Sequence, residues 1–89
     1  MDHQFNRNLL LKKVYLATNA NPRAYVNSFE LTTDMGIDRE TLSNYIHTLE
    51  DLGYLKHLAK GEQFFEVCIT TSGIIYVETS GMLSSDDLQ

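Results

Sequence analysis

The sequence predicts a small α+β domain in which three helices precede a two-stranded β-hairpin and a fourth helix follows it. Three observations support this class. The chain has 89 residues, 43% of them apolar, which is enough for one compact core but not for two. Segments with helical apolar spacing alternate with cap and turn residues through the first two-thirds of the chain. Two runs rich in β-forming residues then flank a short turn that contains glycine.

The first helix is predicted from Phe5 to about Thr18, because apolar residues recur there without a helix breaker. These residues cover two sides of the helix, which is typical of a helix with two packing partners. The run that follows, residues 19–23, is rich in Asn and contains Pro22, and it is predicted to be a loop.

A short strand is predicted at residues 24–26, followed directly by a second helix from Ser28 to Met35. Asn27 stands where an N-cap is expected, and Glu30 follows three residues later, which is the pattern of a capping box. Gly36 can adopt the left-handed conformation that ends the helix.

The third helix is predicted from Arg39 to Leu52, with Asp38 as its N-cap and Gly53 ending it. One apolar face is expected to pack into the core, and it carries Leu42, Ile46, Leu49 and Leu52.

The hairpin strands are predicted at Tyr54–Leu58 and Phe64–Thr70, joined by a turn at residues 59–62. In the second strand, Phe65, Val67 and Ile69 alternate with Glu66 and Cys68, which predicts one buried and one solvated face. Thr70 or Thr71 is expected to cap a last helix that ends near Thr79. Residues 1–80 are therefore interpreted as one domain, and residues 81–89 as a polar, acidic tail that frays.

The net charge of −5 is distributed unevenly along the chain. All seven basic residues lie in residues 1–61, where seven acidic residues balance them, and residues 62–89 add five acidic residues. The single cysteine allows no intrachain disulfide and is compatible with a reducing compartment. Neither a signal sequence nor an apolar run long enough to span a membrane is evident, so a soluble cytoplasmic protein without a membrane partner is expected.

The sequence contains no glycine-rich phosphate loop, no nucleophile with an evident base and no paired carboxylates in a defined context. We therefore expect no catalytic residues, no cofactor and no enzymatic activity. His3, His47, His57 and Cys68 match no spacing of metal ligands, and structural or surface roles are expected for them instead of a metal site.

Three segments resemble the winged helix-turn-helix of transcription regulators of the MarR-like and PadR-like groups. They are the segment from Val26 to Gly36, the run Ile37 to Leu55 that ends in Leu-Glu-Asp-Leu-Gly-Tyr-Leu, and the run Ile69-Thr70-Thr71-Ser72-Gly73. The resemblance implies that the third helix lies in the major groove of double-stranded DNA while the hairpin, called the wing, contacts backbone or minor groove. The implied function is that of a small, sequence-specific transcription regulator.

The residues that the resemblance places against DNA are polar or basic side chains of the third helix and the wing: Arg39, Thr41, Ser43, Asn44, His47, Lys56 and Lys60. Asn44 suits an adenine edge, Arg39 suits a guanine or a phosphate, and hydroxyl groups suit base or phosphate.

This face departs from the family pattern in its charge. Relatives often carry Arg or Lys where this chain has Asn44, His47 and Thr48, and Glu40 and Asp51 add negative charge to the same face. Few phosphates are then neutralised per subunit, and a homodimer formed through the N- and C-terminal helices is expected to double the contacts. The alternative is a winged-helix module that binds another protein and does not bind DNA.

Overall fold

A computed structural model of the chain describes residues 3–59 and 64–83. Its elements, in chain order, are α1 (His3–Ala17), β1 (Val26–Asn27), α2 (Ser28–Met35), α3 (Arg39–Asp51), β2 (Leu55–Ala59), β3 (Phe65–Ile69) and α4 (Thr71–Thr79). The predicted α+β class and order of elements are confirmed. The predicted turn at residues 59–62 lies mostly outside the described residues.

The predicted hairpin is part of a larger sheet. Strand β3 lies in the centre and pairs antiparallel with both β1 and β2. The first strand was predicted one or two residues too early, and its pairing of Val26 with Val67 was not predicted at all. A two-residue strand gains its hydrogen-bond partners from a segment 40 residues away, which no local pattern reveals.

The position of β3 also corrects the expectation of a solvated face. Glu66 is half-buried and Cys68 is buried, with 8% of its surface exposed. Since β3 has neighbours along both edges, its side chains are covered more fully than those of a strand in an isolated hairpin.

The core lies between α1, α3 and the sheet, and α1 contacts α2, α3, α4 and β3. Its fully buried large side chains are Leu10, Leu11, Val14, Leu31, Leu42, Ile46, Leu55, Val67, Ile69 and Val77. One side of α1 therefore packs inside the domain, whereas Phe5 and Leu16 remain exposed. The apolar residues on two sides of α1 thus differ in burial, one set lying in the core and the other including the exposed Phe5 and Leu16.

Capping residues fix the helix ends where the sequence predicts them. Asn27 and Thr70 are N-caps of α2 and α4, and Gly36 ends α2 with φ +65°. The Asn27 side chain accepts a hydrogen bond of 2.7 Å from the Phe29 amide, one residue earlier than the capping-box pattern with Glu30 predicts. Helix α1 ends at Ala17, where Asn19 and Ala20 have positive φ.

One expectation about the end of a helix was wrong, and the chain after α4 has packing contacts of its own. Leu52 follows the last residue of α3 and is 58% exposed, because the chain leaves the helix there and turns at Gly53. Met82 and Leu83 pack half-buried against the core, so the packed chain extends beyond residue 80. Because both side chains are apolar, their contact with the core removes apolar surface from water and keeps this part of the chain packed. Residues 84–89 lie outside the described residues, and fraying there stays a prediction.

Candidate nucleic-acid interface

Helix α3 has one buried and one exposed face. Leu42, Tyr45, Ile46 and Leu49 are buried, whereas Arg39, Asn44 and His47 are exposed and Thr41 and Ser43 are half-buried. The buried side chains fix the rotation of the helix about its axis, so the predicted site residues of α3 lie on its outward side or at its margins.

Asp38 determines where α3 begins. Its carboxylate accepts a hydrogen bond of 2.7 Å from the Thr41 amide. This hydrogen bond from the Thr41 backbone, supported by the Thr41 side chain, lowers the pKa of Asp38. The capped first turn contains Arg39 and Thr41, so the cap holds the backbone of both residues in helical geometry.

Tyr45 anchors α3 to α1, although its burial was not among the predictions. Its ring is 5% exposed, and its hydroxyl lies 2.9 Å from His3 Nδ1 and accepts a hydrogen bond of 3.3 Å from Asn6 Nδ2. The position of Tyr45 one turn after Leu42 was a usable signal for burial, but the hydroxyl's partners come from α1 and need the tertiary structure.

A cleft separates α3 from the wing. Its lining consists of Arg39, Ser43, Ile46, His47, His57, Phe64 and Phe65. The structure thus brings together three of the predicted site residues, Arg39, Ser43 and His47, and adds His57 from β2. Asn44 lies outside this cleft on the exposed side of α3.

The two lysines predicted for the wing are not part of this cleft. Lys56 is exposed, but it precedes His57 on β2, and neighbouring residues of a strand point to opposite sides of the sheet. Lys56 is paired with Cys68 on the side away from His57. Lys60 lies outside the described residues.

Glu50 connects the two histidines of the cleft. His57 Nδ1 lies 2.7 Å from Glu50 Oε2, and the same oxygen accepts a hydrogen bond of 3.2 Å from the His57 backbone amide. His47 Nδ1 is 3.8 Å from Glu50 Oε1. The two imidazole rings meet edge to face with centroids 5.8 Å apart. Spacing along α3 could have indicated the pair of His47 and Glu50, three residues apart, but His57 joins them only through the fold.

Charge on this surface is mixed. Arg39 is exposed at the start of α3, while Glu40 and Asp51 are exposed on the same helix. Such a surface neutralises few phosphates, as the sequence predicts.

A second groove adjoins the cleft at Arg39 and Phe64. Its aromatic side chains are strongly exposed: Phe29 by 74% and Phe64 by 41%. Glu30 and Asp34 of α2 also line it. Exposed aromatic residues next to charged ones are typical of surfaces that contact another molecule.

The described residues provide neither a metal site nor a membrane-spanning helix. Within residues 3–59 and 64–83, no three His, Cys, Asp or Glu side chains are grouped as metal ligands. None of the helices in those ranges has the length and hydropathy needed to cross a bilayer.

Comparison with known proteins yields a structural match and no sequence match. No protein-family profile matches the chain, and no curated protein does. The fold is similar to the crystal structure of a mutant of MepR from a multidrug-resistant S. aureus clinical isolate, with a TM-score of 0.68 and 18% sequence identity. The match covers 90% of this chain and 56% of the MepR chain, so this chain spans little more than half of that protein. The match together with the order of elements shows that this chain has the winged helix-turn-helix fold.

Proposed function

We propose that this chain is a sequence-specific DNA-binding protein that regulates transcription as a homodimer. The observation that carries the proposal is the exposed side of α3, which presents Arg39, Asn44 and His47 while the opposite side is anchored in the core. In helix-turn-helix proteins the corresponding helix enters the major groove with its first turns against base edges.

Each proposed contact follows from the chemistry of its side chain. Asn44 pairs with an adenine edge, and Arg39 with a guanine edge or a phosphate. Ser43 and Thr41 donate hydroxyl groups to base or phosphate, and Lys56 and Lys60 contact the backbone next to the wing. His47 lies one turn after Ser43 and extends the same surface.

The proposed dimer uses the outer sides of α1 and α4. Leu16 of α1 and Ile75 of α4 are large apolar side chains that are 37% and 55% exposed, and the two helices pack on each other within the subunit. A two-fold interface formed from these helices places two recognition helices against one duplex and doubles the phosphate contacts.

The test is a binding measurement with duplexes selected from a random pool. We expect binding that weakens steeply with salt and that Arg39→Ala or Asn44→Ala reduces by about 1–3 kcal/mol. Lys13→Ala, which removes one positive charge from α1, is the matched control and should change the affinity much less. Absence of affinity for any duplex at low salt would contradict the proposal.

A protein-binding module is the second candidate, because the groove next to Arg39 exposes Phe29 and Phe64 beside Glu30 and Asp34. Two acidic side chains at this position disfavour a phosphate backbone and suit a basic, partly apolar peptide. This function would be favoured over the first by two results together: the chain binds no duplex, and Phe29→Ala abolishes its binding to a stable protein partner.

A further inference from the structure

We propose that His57 is a further DNA-contact residue and that its pairing with Glu50 makes the DNA affinity of this protein rise as the pH falls. This inference rests on the proposed DNA binding and specifies how that site is regulated.

The contact between His57 and Glu50 fixes which imidazole nitrogen carries a proton. An ionised carboxylate only accepts hydrogen bonds, so at 2.7 Å the proton lies on Nδ1 of His57. Nε2 then accepts a hydrogen bond when the ring is neutral and donates one when the ring is protonated. A phosphate oxygen accepts but does not donate, and it therefore binds the protonated ring.

The ring is held in place for such a contact. The backbone amide of His57 donates to the same Glu50 oxygen, and the ring packs edge to face against Phe65 with centroids 5.7 Å apart. The side chain remains 35% exposed. It lines the cleft together with Arg39 and Ser43, so a phosphate entering there meets a cation and a hydroxyl as well as the imidazole.

Protonation reverses the charge of this group of side chains. With both histidines neutral, the three side chains of His47, Glu50 and His57 carry the single negative charge of Glu50. Protonation of His57 neutralises the negative charge of Glu50. Additional protonation of His47 then leaves one positive charge on this group of side chains. Histidine titrates between about pH 5 and pH 8, so affinity for a polyanion is highest below that range and is lost as the pH rises through it.

Neighbouring charged groups do not provide this pH response. Arginine and carboxylate side chains ordinarily do not change their charge between about pH 5 and pH 8. The exposed side chains of these types on α3 are Arg39, Glu40 and Asp51. Lys56, Glu66 and Cys68 belong to the side of the sheet opposite His57. Burial raises the pKa of the Cys68 thiol, so this group stays neutral at the pH values concerned.

The experiment measures the affinity of the full chain for a fluorescein-labelled random-sequence duplex at constant ionic strength between about pH 5.5 and pH 8. We expect binding to tighten toward the acidic end by up to about tenfold per pH unit, the limit for one additional proton bound in the complex. His57→Asn keeps an amide donor toward Glu50 but cannot be protonated, and it should remove most of this response. His3→Asn is the matched control, because His3 lies on α1, contacts Tyr45 of α3 and does not line the cleft. It should leave the pH response unchanged.

Glu50 acts here as a positioning residue, and Glu50→Gln tests that role. The amide lacks the carboxylate charge toward which Nδ1 of His57 is directed, so the pH response should become smaller. Circular dichroism confirms that each variant is folded over the same range.

The outcomes of the experiment distinguish the inference from the proposed function. Duplex binding that does not vary with pH, or His57→Asn with the full pH response, overturns the inference and leaves the proposed function intact. Absence of duplex binding at every pH overturns both. A response that disappears with His3→Asn assigns the proton to α1 and also overturns the inference.

Discussion

Single side chains determine how α3 is presented to solvent. Asp38 sets the first residue of the helix, Tyr45 ties its inner side to α1, and Glu50 ties its last turn to β2. The Asp38 contact lies within the first turn of α3, whereas Tyr45 and Glu50 contact groups of α1 and β2. The exposed residues Asn44 and His47 lie between these attachment points, so their backbone is held from both ends of the helix.

The cap at Asp38 predicts an acid-sensitive contribution to stability. Because the Thr41 amide lowers the pKa of Asp38, the stabilising carboxylate is present above the pKa of the unfolded chain. It is lost as the pH falls through the lower value of the folded chain. We expect Asp38→Ala to lower the urea midpoint of unfolding at neutral pH. The midpoint of this variant should also decline less in acid than that of the unaltered chain.

Asp38→Asn is the control for this prediction, because it keeps a capping oxygen without an ionisable group. Its urea midpoint should stay near that of the unaltered chain at neutral pH and decline less in acid. Equal midpoints for Asp38→Ala and the unaltered chain would contradict the assigned cap.

Cys68 provides a second prediction at this scale. It is 8% exposed, and burial raises the pKa of its thiol, so little reactive thiolate is present at neutral pH. We expect alkylation in the folded chain to be slower than in denaturant by at least about tenfold. Equal rates in the two conditions would show that the central strand is accessible in solution.

At the scale of elements, the start of α4 links the wing to the turn that follows α3. The Thr70 hydroxyl donates a hydrogen bond of 2.6 Å to the Gly53 carbonyl and accepts one of 2.9 Å from the Gly73 amide. The Thr70 amide donates to the Tyr54 carbonyl at 3.0 Å. This arrangement explains the Thr-x-x-Gly pattern of the sequence physically, since threonine provides the cap and glycine allows the helix to approach Tyr54.

Gly73→Ala should destabilise the protein by about 1–3 kcal/mol, the usual effect of overpacking. A Cβ atom at this position would overlap the Tyr54 carbonyl oxygen and lie 2.9 Å from Ile69 Cγ1. The neighbouring Ser72 is exposed on the same helix, and Ser72→Ala should change the stability by less than about 0.5 kcal/mol. Chemical unfolding compares the two variants, and equal stabilities would contradict this account of the glycine.

At the scale of the whole molecule, a subunit of 89 residues leaves apolar side chains of α1 and α4 in solvent. Small domains bury a limited fraction of their surface, so the proposed association through these helices would add stability as well as the proposed DNA contacts. The proposed dimer and the exposed side of α3 use different parts of the molecule.

Sedimentation equilibrium should therefore give twice the subunit mass of 10.2 kDa at micromolar concentration. Ile75→Glu places a charge at an exposed position of α4 and should shift the equilibrium toward the monomer without unfolding it. Phe29→Glu changes an equally large exposed side chain on α2 and should leave the mass unchanged. A monomer mass that does not depend on concentration would exclude the dimer.

The α+β order of elements and most of their ends were predictable from the sequence alone, because caps and turns depend on residues that are close together in the chain. Asn27, Asp38 and Thr70 cap helices at the predicted positions, and Gly36 ends α2 as predicted. The burial of Leu42, Ile46 and Leu49 also followed from spacing along one helix. These features depend on residues a few positions apart, whose relative geometry the helix itself fixes.

The features that join distant segments depend on the tertiary structure and could not be predicted from the sequence. The pairing of β1 with β3, the burial of Cys68, the partners of the Tyr45 hydroxyl and the contact of Glu50 with His57 all depend on packing. The cleft beside α3 contains His57 and not Lys56 for the same reason, since β2 presents alternate residues to opposite sides and its packing on α3 selects one of them. Local spacing specifies which side chains share a face, whereas the free energy of burial decides what that face meets.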